Sequence, residues 1–455
     1  METGHFPMKF HPSKQKEKKE KKTSSTKEER ENYLKKTVFE IGQGHIFEVF
    51  SNGKLDQLRW QSLMLWLDEI DQFFLPIGGL KGLEKKITEM LYHEAEIPFE
   101  AYPYIPKKPD FDENNFKKGI SYQKNLIEVV VLGGAAERLN FKDEVTQEPL
   151  PAFLYPFMGK TLLEWIILDI QSKERLMEEL FGESELTPIV LMTSVSKNNK
   201  KLLLSFLEEK KFFDRPKSSF FLLEQPLVPY VDRQGKWCLD ELQNIQKAPC
   251  GHGAVWKLLH DSKELESVIK EKTHVLVRQI NNPVLSFFDT LPLFVQTTLD
   301  SPAELALLVT DTLPGAKEGK IILKKNGRFT NLEYIHNEVS DLFGFANVNA
   351  ILMKVDVLNS SVFQNPFPGF LLNFKGKERA RPEMSMQNIV DSIEDILVVH
   401  FPRQYAISAI KREGEGLETA DAAVSIIKNL YKQHSSGSKE GEIYTPFGSR
   451  VLKKL

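Results

Sequence analysis

The sequence predicts an α/β fold with a mostly parallel sheet, entered through a mostly helical N-terminal module and followed by a small C-terminal segment. Three observations carry this. After residue 125, short β-branched apolar runs alternate with helical runs. Before it, apolar residues recur at three- and four-residue steps between proline and glycine breaks. At 455 residues the chain is also too long for one ordinary domain.

Residues 1–36 read as a disordered charged tail, Lys/Glu/Ser-rich with almost no apolar side chain from Lys9 to Lys36. Such a stretch cannot bury enough surface to offset its ordering entropy. Residues 37–124 read as the helical module with a Pro-rich linker. Leu55, Leu58, Leu63, Trp66, Leu67, Ile70 and Phe74 share one helical face that ends at Pro76 and Gly78–Gly79. A second helix spans Leu83–Glu94, and Pro98, Pro103, Pro106 and Pro109 mark the linker.

Residues 125–400 form the predicted core. Strands are read at Ile127–Leu132, Pro188–Thr193, Ser219–Leu223, His274–Ile280 and Leu305–Thr310. Helices are read at Thr161–Leu180, Asn198–Phe213, Ala254–Asp261, Ser262–Lys272 and Gln387–Val399. Asn326–Gly327 turns a hairpin between Ile321–Lys325 and Phe329–Ile335. Residues 401–455 form the C-terminal segment, polar and loop-like from His434 to Gly441.

Composition narrows the function class. Hydrophobic residues make up 41% and charged residues 27%, a globular balance. Sixty Lys+Arg against 63 Asp+Glu leave a net charge of -3, so no basic excess points to nucleic acid or an acidic membrane surface. Cys238 and Cys250 cannot build a disulfide framework or a multi-cysteine zinc site. No apolar run approaches the roughly 18 residues of a membrane span, and the N-terminus lacks a secretory pattern. The expectation is a soluble, cytoplasmic protein without nucleic-acid or membrane partners.

Three segments carry candidate chemistry. The first strand opens into Gly133–Gly134, where backbone amides can approach an anion, with Arg138 to add charge. Taken alone, a Gly-Gly after a strand is equally an ordinary tight turn. Gly251-His252-Gly253, just before a helix carrying Lys257, leaves room for a base or ribose against the backbone, or is a plain helix entry. Gln225, at a strand's C-terminal end, lies where open α/β sheets bind ligands, and its amide can both donate to and accept from a nucleobase edge.

In order, these segments resemble the UDP-sugar pyrophosphorylases, most of all the plastid-type and chlamydial UTP–glucose-1-phosphate uridylyltransferases. The resemblance covers residues 126–400. It rests on Leu132-Gly-Gly-Ala-Ala-Glu-Arg-Leu139, Gly159-Lys-Thr-Leu-Leu-Glu164, Thr187–Ser194 with Lys197-Asn-Asn199, and Leu223–Pro229. Gly251-His-Gly253 with Trp256-Lys257, Val277-Arg-Gln-Ile-Asn281 and Arg381–Asp391 complete it. It implies a Rossmann-like nucleotide-diphospho-sugar transferase core that joins UTP to a sugar-1-phosphate, glucose 1-phosphate first, with Mg²⁺ brought as the UTP complex. Gly133, Gly134 and Arg138 would then hold phosphates, Gln225 and Gly251 would read uracil, and His252 would lie beside the nucleotide. Lys375 is the implied phosphate lysine, Glu383 and the pair Asn347 and Asn349 face the sugar, and Lys160 and Lys257 add charge.

Two positions depart from the wider superfamily. Ala152 follows Pro151 where a Pro-Lys pair is usual, so Lys160 or Lys375 must carry more of the phosphate charge. Asn281 stands where a metal-binding aspartate is usual, and an amide oxygen is a weaker Mg²⁺ ligand than a carboxylate. The rival readings are a UDP-N-acetylhexosamine pyrophosphorylase, a non-catalytic UDP-sugar-binding regulator, and a glycosyltransferase. The last wants a D-x-D motif at a strand end, whereas Asp110-Phe-Asp112 lies in the linker.

Overall fold

The computed structural model describes residues 26–434 except 51–56, 93–99, 133–138, 195–197, 317, 334–342, 361–366, 368, 373 and 375–377. The chain opens with helices α1 (Lys27–Glu40), α2 (Gln57–Phe73), α3 (Gly79–Tyr92) and α4 (Glu113–Ser121). The core follows as β1 (Leu126–Val131), α5 (Leu162–Phe181), β2 (Ile189–Ser194), α6 (Asn199–Glu209), β3 (Phe220–Gln225), α7 (Ala254–Asp261), β4 (His274–Gln279) and α8 (Thr290–Leu299). Then come β5 (Leu305–Thr310), β6 (Lys320–Leu323), β7 (Phe329–Leu332), β8 (Phe345–Lys354), β9 (Ile396–His400) and α9 (Ala420–His434).

Nine strands share one sheet. β1 pairs in parallel with β2 and β4, β2 with β3, and β5 with β9. The long strand β8 is inserted antiparallel between β4 and β5, and the β6–β7 hairpin pairs with its start. β1, β2 and β4 are buried nearly throughout, as the apolar runs require of a sheet covered on both faces. Strand order reverses around β1, with β2 on one side and β4 on the other. Ligands of open α/β sheets bind outside the strand carboxyl ends at such a reversal.

Several expectations need correction. The tail was read to residue 36, yet α1 starts at Lys27 behind a Thr26–Glu29 capping box and buries Leu34, Thr37 and Val38. Arg30 holds it down, donating to Asp68 (2.6 Å) and Asp71 (2.7 Å) on α2. Sparse apolar spacing hid a helix docked by two ion pairs. α4 belongs to the core rather than to the N-terminal module, because it packs on α5 and α8. A Cβ on its Gly119 would meet Pro292 O at 2.0 Å. The C-terminal segment also joins the core: Ala423, Ile427 and Leu430 of α9 pack with α5 and β2 residues. The helix read at Gln387–Val399 is a 3-10 turn, Met386–Ser392, followed by β9. Its β-branched Ile396, Val398 and Val399 pair in register with β5. Among the described residues, no helix is long and apolar enough to cross a membrane.

Candidate active site

The site is built on the ends of β3, β4 and β8. β3 ends at Gln225, whose side chain is 1% exposed. Its Oε1 accepts from Gly251 N at 3.2 Å, which leaves the buried Nε2 donor with no partner among the described residues. An unpaired buried amide donor is costly unless a ligand completes it. Residues 227–229 run on from Gln225 and pair antiparallel with 247–249, so Gln225 and Gly251 close the same short ladder. Cys250 N donates to Pro226 O at 3.1 Å.

The glycines of Gly251-His252-Gly253 have a different reason from the one the sequence suggested. Gly251 has φ +97°, and a Cβ there would meet Met384 O at 2.5 Å. A Cβ on Gly253 would meet the Met384 side chain at 2.7 Å. The strand at Pro382–Met384 therefore takes the space left by the missing side chains, and Gly251 N–H is spent on Gln225. Met384 N donates to Cys250 O, and Gly253 N to Met384 O, so this strand is stitched to the loop. Met386 N donates to His252 Nδ1 at 2.9 Å, which leaves the imidazole proton on Nε2. Burial holds His252 below its ordinary value, with Glu333 and Glu383 pulling the other way and Arg381 adding to the depression. A neutral Nε2–H donor is the form this site presents.

A set of amides lies at the start of β8. Asn349 has φ +63°, in the left-handed region, beside a bulge in the pairing of β8 with β5. A side chain held there by its surroundings is a mark of built-in strain. Its Nδ2 donates to Gln279 Oε1 at 3.2 Å, and its Oδ1 accepts from Gln387. Asn347 accepts from Asn349 N at 2.9 Å and donates to Asn331 at 2.9 Å. Asn331 in turn donates to Glu333 Oε1 at 3.0 Å, and Ser385 Oγ lies 3.3 Å from the same oxygen. Ser385 donates to Gln387 Oε1 at 2.5 Å. Amide, hydroxyl and carboxylate groups in such a chain suit a ligand rich in hydroxyl groups.

The candidates thus divide. Gln225, Gly251 and His252 come together, and Asn347 and Asn349 form a second group tied to the same Pro382–Gln387 segment. Glu383 sits on that segment, but Arg381 Nε donates to it at 2.7 Å. Lys257 leaves the group: it bonds Asp261 one turn along α7, and its ammonium lies 5.8 Å from the Phe73 ring of α2. Lys160 also points elsewhere. It lies 6.0 Å from the Trp165 ring and lines a groove of about 490 Å³ along α5 with Arg175 and Lys210. The Gly159–Glu164 signature is explained locally: Thr161 and Glu164 form the capping box that starts α5. Asn281 follows β4, and its carbonyl accepts from Ile410 N at 2.7 Å. Among the described residues, no three His, Cys, Asp or Glu side chains converge on a metal position. Gly133, Gly134, Arg138 and Lys375 lie outside the described residues.

Gln279, Asn331, Glu333, Ser385 and Gln387 were given no role from sequence. Gln279, Ser385 and Gln387 lie inside the segments that carry the resemblance. Asn331 lies within β7 and Glu333 just after it, and neither carries a local signal, because the pairing of the hairpin with β8 brings them to the site.

The fold is the one found in solved nucleotide-sugar pyrophosphorylases. A uridine diphosphate N-acetylglucosamine pyrophosphorylase from Trypanosoma brucei superposes with a TM-score of 0.69 at 16% identity, over 90% of this chain and 86% of that one. A UDP-glucose pyrophosphorylase from Leishmania major, solved with UDP-glucose, gives 0.56 at 15% identity, over 79% and 78%. The family model described as UTP–glucose-1-phosphate uridylyltransferase matches residues 158–405, and the chain belongs to that family. UTP–glucose-1-phosphate uridylyltransferase 3, chloroplastic, of Arabidopsis thaliana is 27% identical over 82% of this chain and 51% of its own length. UDP-N-acetylglucosamine diphosphorylase 2 of the same plant is 23% identical over 65% and 59%. The chain thus spans little more than half the length of these relatives.

Proposed function

We propose that the protein is a nucleotidyltransferase that joins UTP and a sugar-1-phosphate, glucose 1-phosphate first, to give UDP-sugar and pyrophosphate. The carrying observation is the buried, unpartnered Gln225 Nε2 beside the Gly251–His252 loop, a donor suited to a nucleobase carbonyl. The amide chain from Gln279 to Glu333 supports a hydroxyl-rich group as the second ligand.

In this reading the phosphate oxygen of the sugar-1-phosphate attacks the α-phosphorus of UTP, the new P–O bond forms, and pyrophosphate leaves in line. The nucleophile is already an anion, so no general base is needed. What the site must supply is alignment and charge neutralisation. His252 Nε2–H and Gln225 orient the nucleotide. Arg138 and Lys375 are the cations the resemblance assigns to the phosphates, with the Gly133–Gly134 amides. Mg²⁺ carried by UTP would offset phosphate charge.

Glucose is favoured by the family description. The likeness to N-acetylglucosamine enzymes supports UDP-N-acetylhexosamine synthesis as the second reading. Pyrophosphate release from UTP with glucose 1-phosphate, against N-acetylglucosamine 1-phosphate, decides between them. UDP-sugar binding without pyrophosphate release from either would leave the binding-only reading.

A further inference from the structure

The nucleobase group is braced from outside the core, by α2. Trp66 and Phe73 lie seven residues apart, two turns along one face of this helix. Trp66 is 6% exposed, and its indole Nε1 donates to Leu227 O at 2.9 Å, two residues beyond Gln225. The ring meets Trp237 edge-on, with centroids 5.8 Å apart. On the ring's face lies the Lys247 ammonium, 4.1 Å from the centroid. Lys247 pairs with Pro229 on the strand that leads into Cys250 and Gly251. Phe73, two turns on, lies under Lys257, five residues past His252. One rigid helix thus touches the chain just after Gln225, just before Gly251 and just after His252.

We propose that α2 is a splint for the nucleobase site: Trp66 fixes Leu227, and with it Gln225, at a set position against the Gly251–His252 loop. The inference rests on the nucleobase reading of Gln225. Trp66 is then a positioning residue that acts through Gln225 without touching the ligand. The physical need is plain. Gln225 must hold Gly251 N–H with one end of its amide while aiming the other, and a shift of a few tenths of an ångström in the 225–227 backbone spoils that aim. A helix hydrogen bond and a stacked cation resist the shift at the one point where the ladder leaves the sheet.

Trp66→Phe tests this, because it keeps an aromatic ring against Trp237 and Lys247 and removes the Nε1–H donor. The expected result is a KM for UTP raised about three- to tenfold, the worth of about one hydrogen bond, with a reduced preference for UTP over CTP. The KM for sugar-1-phosphate and kcat at saturating UTP should stay within about twofold, the pattern of lost nucleotide binding. In a Gln225→Ala background the same substitution should add no further loss of preference. A folded Trp66→Phe protein with a lower melting temperature but unchanged UTP KM and preference, beside an impaired Gln225→Ala, overturns the inference alone. If Gln225→Ala is itself silent, the nucleobase reading falls and takes this inference with it. Should Trp66→Phe fail to fold, Lys247→Met removes the ammonium above the indole and keeps the methylene stem. The same silent result there overturns the inference.

Discussion

Arg278 and Gln279 are neighbours on β4, yet they belong to opposite kinds of polar cluster. Alternation along the strand sends one to each face. Arg278 is 1% exposed and lies between Glu128 Oε2 at 3.1 Å and Asp169 Oδ2 at 2.8 Å. Lys173 closes the square, 2.9 Å from Glu128 and 3.1 Å from Asp169. Burial pushes the Glu128 carboxyl up, but Arg278 and Lys173 outweigh it and hold it below the ordinary range. In Asp169 burial wins and the carboxyl is raised. Two cations and two carboxylates balance, and the set ties β1, β4 and α5 together. Gln279 joins the other kind, a rim of neutral amides that shares one strained asparagine and lies close to a buried donor left open. A cluster that cancels its own charge holds the fold. A cluster left incomplete at the strand ends waits for a ligand.

The largest expected effect breaks the first cluster. Arg278→Met leaves Glu128 and Asp169 with Lys173 alone, and an uncompensated buried charge costs about 3–5 kcal/mol. Urea unfolding should show that loss in the midpoint at unchanged slope. A near-wild-type midpoint with lost turnover would mean that this cluster is functional, and the comparison would fail.

Lys375→Ala tests the phosphate charge that the resemblance implies. The resemblance makes it the phosphate lysine, and Ala152 removes the superfamily's alternative. Loss of a preorganised charge at a transferring phosphoryl group costs on the order of 10²–10³ in kcat. The melting temperature should hardly move, and Lys375→Arg should rescue only part. A kcat within about threefold of the parent would mean that Lys375 is not catalytic.

How far the sequence reached follows the same division. β1 to β5 and α5 were legible because apolar runs and the Thr161–Glu164 box are local signals. β8 is ten residues long and carries Asn347 and Asn349 within its apolar run, which hid its strand character. That Gln225, Gly251 and His252 come together was legible because Gln225 ends a strand and His252 sits between glycines. The glycines' actual reason, the close approach of Met384, is a contact across 130 residues that spacing cannot reveal. Lys160 and Lys257 were chosen for charge near a motif, and local partners, Trp165 and Asp261, take them elsewhere.

Gln225→Ala sharpens the contrast on the nucleotide side. A nucleobase edge left unpaired in a buried site costs about 1–3 kcal/mol, so UTP should weaken more than sugar-1-phosphate and preference over other nucleotides should relax. Gly251 N–H also loses its acceptor, so a small fall in melting temperature is expected. Equal loss for both substrates with unchanged nucleotide preference would remove Gln225 from the nucleobase.

The smallest effect comes from a charge set that lies between the two kinds. Arg30 bridges Asp68, at the surface, and Asp71, whose side chain is 1% exposed. Asp71 also accepts from Leu80 N at 2.8 Å, so it caps the start of α3 as well as pairing with α1. Its second acceptor bond softens the loss of Arg30, and the guanidinium is a quarter exposed, where solvent screens the pair. Deleting residues 1–25 should therefore leave the melting temperature unchanged, whereas deleting 1–36 removes Arg30 and Leu34 and should lower it by several degrees, about 1–2 kcal/mol. Turnover at moderate temperature should survive both deletions, because α1 touches α2 at Asp68 and Asp71 and not at the rim. Thermal scans of the two truncations side by side decide it: equal melting temperatures would mean that the ion pairs contribute nothing and that residues 26–36 are tail after all.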